Sequence, residues 1–65
     1  MNSSELLLSL LNAVYPVELS FDEMSNLTGC AKTLVARKIL ALKDLGMVRL
    51  RKTDNGCYCR VVREF

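Results

Sequence analysis

Between Met24 and Val48 the chain reads MSNLTGCAKTLVARKILALKDLGMV, and from Gly46 to Arg63 it continues GMVRLRKTDNGCYCRVVR. Plotted at about 100° per residue, Leu34, Val35, Ile39, Leu42 and Leu45 share one arc, which is the signature of a helix with one buried side. Lys32, Thr33, Ala36, Arg37, Leu40, Lys43 and Asp44 share the opposite arc. A helix over 32–45 follows, stopped by Gly46 and basic on its outer side. After Gly46 the period changes to 2: Met47 to Thr53 alternates apolar with basic, and Cys57 to Arg63 alternates again. Asn55-Gly56 between them suits a two-residue turn with positive φ at both positions, so the segment predicts a β-hairpin.

With Asn55-Gly56 as the loop, Asp54 faces Cys57, Lys52 faces Cys59, Leu50 faces Val61 and Val48 faces Arg63. One face then carries Val48, Leu50, Cys59 and Val61, and the other Arg49, Arg51, Thr53, Tyr58, Arg60 and Val62. Arg51 and Arg60 stand opposite each other in this register, a repulsion of a few tenths of a kcal/mol that a polyanion would relieve. Charges on an edge also discourage strand-to-strand aggregation. That role alone does not call for Tyr58 among three arginines.

Upstream of the quoted stretch, Ser20 and Glu23 have capping-box spacing, so a second helix starts there. Phe21, Met24 and Leu27 fall on its inner face, and Gly29 suits the left-handed residue at its end. Val17 to Leu19 is extended in character, a short extra strand over 17–19. Pro16 ends a first helix near Val14 or Tyr15, since the residue before proline is pushed out of the α region. Ser3 or Ser4 can cap that helix at its start. Its apolar residues, from Leu6 to Tyr15, cover more circumference than one core needs. It is either wedged between two elements of its own domain or it presents a self-association face, with Leu6, Leu8 and Tyr15 as the candidate contacts.

Length and composition narrow the function classes. Sixty-five residues make one domain, 1–65, too small to enclose a deep substrate cleft. The chain has no histidine and no tryptophan, no glycine-rich phosphate loop and no acid pair beside a nucleophile. We therefore expect no enzyme, no cofactor and no small-molecule substrate. The net charge of +2 conceals a strong asymmetry. Residues 1–31 hold Glu5, Glu18, Asp22 and Glu23 against no base, a net of −4, whereas residues 32–65 hold all nine bases against Asp44, Asp54 and Glu64, a net of +6. Such a half attracts polyanions by its summed field.

Cys30, Cys57 and Cys59 lack both the histidine and the two-residue separation of a zinc site, so no metal is expected. They read as reduced thiols, Cys30 and Cys59 as small buried hydrophobes and Cys57 as a turn-flanking residue. The apolar run from Leu6 to Leu11 is broken by Ser9 and preceded by Glu5, too short to span a bilayer and poorly built as a signal peptide. The expectation is a cytoplasmic protein with no membrane partner.

The segment from Met24 to Val48 resembles the helix-turn-helix of winged-helix bacterial transcription regulators, and the hairpin after it resembles their wing. The likeness extends from Leu19 to Val62, with small phage-type and pilus-operon regulators as the nearest subgroup. Met24 and Leu27 stand at second-helix core positions, Thr28-Gly29 at the turn, and Val35, Ile39 and Leu42 where the recognition helix packs inward. Ala31 departs from the usual Ser or Thr cap, Lys38 must snorkel out from the edge of the inward arc, and Leu40 projects from the middle of the outer arc.

The resemblance implies an α+β fold of three helices followed by a two-stranded wing, with the third helix in a major groove of double-stranded DNA. Thr33 and Arg37 would then aim at base edges, Lys32 and Lys43 at phosphates, and Leu40 at a thymine methyl. Arg49, Arg51, Lys52, Tyr58 and Arg60 would lie along the backbone or minor groove. A homodimer through the first helix would supply the affinity that one small module lacks. The competing expectation is a winged helix used as a protein-interaction module or adaptor, since fold alone does not settle function.

Overall fold

A computed structural model describes residues 2–63. The order is α1 (Ser3–Val14), β1 (Leu19–Ser20), α2 (Phe21–Thr28), α3 (Lys32–Asp44), β2 (Val48–Thr53) and β3 (Gly56–Val61). The three strands form one antiparallel sheet in the order β1-β3-β2. This is an α+β domain in which one face of the sheet packs on the helices.

Local chemistry accounts for most element boundaries. Asn2, not Ser3 or Ser4, caps α1: its side-chain oxygen accepts from the Glu5 N–H at 2.9 Å. Tyr15, held extended ahead of Pro16, closes α1 at ψ 136°. The extra strand is Leu19–Ser20 rather than 17–19, because its ladder partners are Cys59 and Tyr58. Ser20 also starts α2 through a complete capping box: the Glu23 N–H donates to its Oγ at 3.1 Å, and its own N–H donates to Glu23 Oε1 at 3.0 Å. Gly29 at φ 74° ends α2, a left-handed conformation that a Cβ would strain.

The core is drawn from every element. Leu7 and Leu11 of α1, Met24 of α2, Val35 and Ile39 of α3, and Cys59 of β3 are fully buried. Leu19, Leu42, Val48 and Val61 close its edges. Two sequence-based core positions lie elsewhere. Leu27 is 64% exposed on the last turn of α2, because the inner row of that helix runs through Phe21, Met24, Ser25 and Thr28 and leaves Leu27 beside it. Leu45 is 73% exposed as the C-cap of α3, one residue past the end of the helical arc.

The apolar arc of α1 is largely spent within the domain, since Leu8, Leu10, Val14 and Tyr15 pack against the core beside Leu7 and Leu11. Among the candidate self-association residues only Leu6, at 36%, remains exposed.

The hairpin register differs by two residues from the one expected. Thr53 pairs with Gly56, Lys52 with Cys57, Arg51 with Tyr58, Leu50 with Cys59, Arg49 with Arg60 and Val48 with Val61. The loop is Asp54-Asn55, and positive φ falls on Gly56 alone, at 140°. A Thr53 side-chain oxygen accepts from the Asn55 N–H and donates to the Gly56 carbonyl, at 3.2 Å each, and these two bonds hold the turn. Because the side-chain period is 2, the two-residue shift leaves each side chain on its expected face.

Candidate nucleic-acid interface

The α2–α3 turn is built from side-chain to backbone hydrogen bonds. Thr28 Oγ1 donates to the Met24 carbonyl at 2.7 Å and accepts from the Cys30 N–H at 3.3 Å, and Ser25 Oγ donates to the Cys30 carbonyl at 2.6 Å. No side chain caps α3. Ala31 stands at the N-cap in extended conformation, and Thr33 makes no cap bond in its place. The turn delivers α3 with Val35, Ile39 and Leu42 inward, which fixes the rotation of the helix about its axis.

All five α3 residues expected at an interface face solvent: Lys32, Thr33, Arg37, Leu40 and Lys43 are exposed, Leu40 by 49%. Lys38 is half-buried, as a snorkelling side chain at the margin of the arc should be. Lys32 is paired with Asp22 of α2 at 2.9 Å, with both side chains well exposed. A surface pair of this kind is worth about 0–1 kcal/mol.

The sheet presents the second cationic surface. Pleating turns Arg49, Arg51, Tyr58 and Arg60 away from the helices, opposite to the face that buries Val48, Cys59 and Val61. Lys52, expected beside these arginines, alternates to the helix-side face at the end of the hairpin. Between α3 and the hairpin turn lies a cleft of about 200 Å³ where Ser20, Asp22 and Lys32 meet Asn55, Gly56 and Cys57, and none of the outward-facing arginines lines it.

Arg51 is the most constrained cation. Its Nε donates to Glu18 Oε1 at 2.9 Å and Oε2 at 3.2 Å, and its Nη2 lies 2.8 Å from Oε1. Its guanidinium carbon sits 5.3 Å from the centroid of the Tyr58 ring, its cross-strand partner. The hydrogen bond from Arg51, with further attraction from Arg51 and Arg60, lowers the Glu18 carboxyl below the ordinary glutamate range. The same bond raises Arg51. The expected repulsion therefore lies between Arg49 and Arg60, and the anion beside it is internal: continuing the β1–β3 register back by one residue sets Glu18 opposite Arg60.

Sequence reasoning missed Glu18 and Asp22 as part of this surface. Their signal was the acidic first half, whose charges meet the cations of the second half at both Lys32 and Arg51.

Leu8 and Tyr15, expected at a dimer interface, are half-buried, and Arg63 lies 4.8 Å from the Tyr15 ring centroid. Leu8 and Asn12 line an open groove of about 520 Å³ with Met47 and Val62. Cys30, Cys57 and Cys59 are free thiols, with Cys59 buried and the other two half-buried. Burial, reinforced by Cys57, pushes the Cys59 thiol up to about 12. Among the described residues no group of three or more His, Cys, Asp or Glu side chains is placed to hold a metal ion. No helix of the described residues is long and apolar enough to cross a membrane. No protein-family model, curated protein or solved structure matches the chain.

Proposed function

We propose that the protein is a small winged helix-turn-helix regulator that binds double-stranded DNA, with α3 entering the major groove and the hairpin lying on the adjacent backbone. The reading is carried by the rotation of α3: packing Val35, Ile39 and Leu42 inward leaves Lys32, Thr33, Arg37, Leu40 and Lys43 all exposed on the other side. Arg37 and Thr33 act at base edges, and Lys32, Lys43, Arg49, Arg51 and Arg60 act at phosphates. The sheet order β1-β3-β2, with α2, the turn and α3 between β1 and the hairpin, supports the same layout.

Fluorescence anisotropy with random duplex DNA at two salt concentrations tests the reading. Binding that weakens steeply with salt supports it, since each neutralised phosphate contributes a slope of about −0.9 in log K against log salt. A flat response at low salt, weaker than micromolar, overturns it in favour of an adaptor. The adaptor reading draws on Leu27 at 64% and Leu40 at 49% exposure, apolar side chains that a partner protein would cover.

Two-fold pairing onto half-sites about 34 Å apart extends the proposal. Its contact on α1 centres on Leu6, with Leu8 at the rim, and Leu6→Glu in sedimentation is the direct check. Unchanged mass in a folded variant removes α1 from the interface.

A further inference from the structure

Two ion pairs share a pattern. Each joins an acid of the first half of the chain to a cation of a proposed DNA-facing surface: Glu18, just before β1, to Arg51, and Asp22, in the first turn of α2, to Lys32. The first is the better built. Glu18 lies immediately before β1, so its carboxylate reaches across the middle strand to meet Arg51 on β2. It takes the guanidinium through two nitrogens, with three N···O distances between 2.8 and 3.2 Å, the fork geometry that a phosphate would otherwise use. Tyr58 holds the guanidinium at 5.3 Å, so Arg51 is kept in place for whichever anion it meets. Glu18 is 27% exposed at its side chain and Arg51 57%, so an incoming phosphate can reach the guanidinium.

We propose that Glu18 is a built-in counter-ion that occupies the guanidinium of Arg51, so that duplex DNA engages the hairpin by exchanging a backbone phosphate for this carboxylate. The inference rests on the duplex-binding reading and assigns to it an autoinhibitory contact. In the free protein the carboxylate cancels the charge of Arg51 and repels phosphates approaching the sheet. On binding, Arg51 changes partner without leaving the Tyr58 ring. The net gain from its phosphate contact is the difference between two similar ion pairs, which keeps binding to arbitrary sequence weak and leaves discrimination to α3. A glutamate that merely orients Arg51 would act in the opposite sense, since its removal would weaken binding.

The test measures affinity for random duplex DNA with the parent, Glu18→Gln, Arg51→Ala and the double variant. The glutamine keeps an acceptor near Arg51 and removes the charge. Glu18→Gln is expected to bind about three- to tenfold more tightly at low salt, with a salt slope steeper by about one. The gain should vanish in the Arg51→Ala background. Glu5→Gln, which changes net charge equally on α1, should leave affinity within about twofold.

Unchanged or weaker binding by Glu18→Gln, or a gain that persists without Arg51, overturns the inference while leaving the duplex-binding reading intact. Absence of binding by parent and variant alike overturns both. A measurement on the unmodified protein does not depend on the variants folding: the Arg51 Nε–H resonance should shift as duplex is titrated to saturation. A resonance unmoved at saturation overturns the exchange.

Discussion

The outer arc of α3 and the outer face of the sheet are both basic, but they hold their charges differently. Arg37 and Lys43 on α3 make no ion pair with any described residue, so each must lose side-chain freedom when it contacts a ligand. Arg51 on the sheet is already ordered by Glu18 and Tyr58. It gives up little entropy on binding and must instead surrender an existing partner. A surface of mobile cations can adapt to the base edges before it, whereas a preset guanidinium suits a repeating phosphate.

The comparison is broken most severely at the core both surfaces share. Ile39→Ala should cost about 2–5 kcal/mol, since Ile39 is fully buried between the helices and the sheet. A domain of this size has little stability to lose, so thermal melting should show the variant largely unfolded. A variant that melts like the parent would mean that the rotation of α3 is not fixed by its inward residues.

Next in size, Arg37→Ala should weaken a preferred duplex by about 1–3 kcal/mol and relax sequence choice. Arg51→Ala should weaken all duplexes about equally. Competition binding with a selected site and a scrambled one separates the two, and equal losses of specificity would erase the distinction. Ser20→Ala removes the capping box that starts α2 at the point where β1 ends, and should cost about 1 kcal/mol in a denaturant melt. No loss would show that packing alone holds that junction.

The smallest effect is the pH dependence of the Glu18–Arg51 pair. The folded-state pKa of Glu18 lies below its unfolded value, so the pair stabilises the fold above the unfolded value and that contribution is lost as pH falls through the depressed folded one. Melting curves of the parent and Arg51→Ala should therefore differ near neutral pH and converge in acid. A gap that stays constant with pH would leave the carboxylate without a part in stability.

How far the sequence could be read depends on the range of the interaction concerned. The capping box at Ser20 and Glu23, the glycine stop at Gly29 and the change of period after Gly46 act over a few residues, and the structure keeps all three. Leu45 had the correct periodicity but stands just past the end of α3, whereas Leu27 was put on the inner row by its spacing of three from Met24 when that row takes the step of four to Thr28. The hairpin turn was misplaced because two adjacent pairs of residues, Asn55-Gly56 and Asp54-Asn55, can each close it. The Thr53 hydroxyl bonds that accompany the second are invisible to alternation alone.

The candidate surface shows the same division. Which face of α3 carries Lys32, Arg37 and Lys43 follows from spacing, and the structure places them there. The clasp of Arg51 by Glu18 spans 33 positions of sequence and exists only because β1 adds to the far side of β3. No local pattern reports a contact of that kind.

The hairpin pairing moved by two residues relative to the simplest turn, and its inside and outside did not change places. A ribbon with this alternation can be lengthened or trimmed by matched pairs of residues, and its reach would alter while its oily side stayed on the helices. The arm could thus be fitted to a longer or shorter contact without any new core having to be invented.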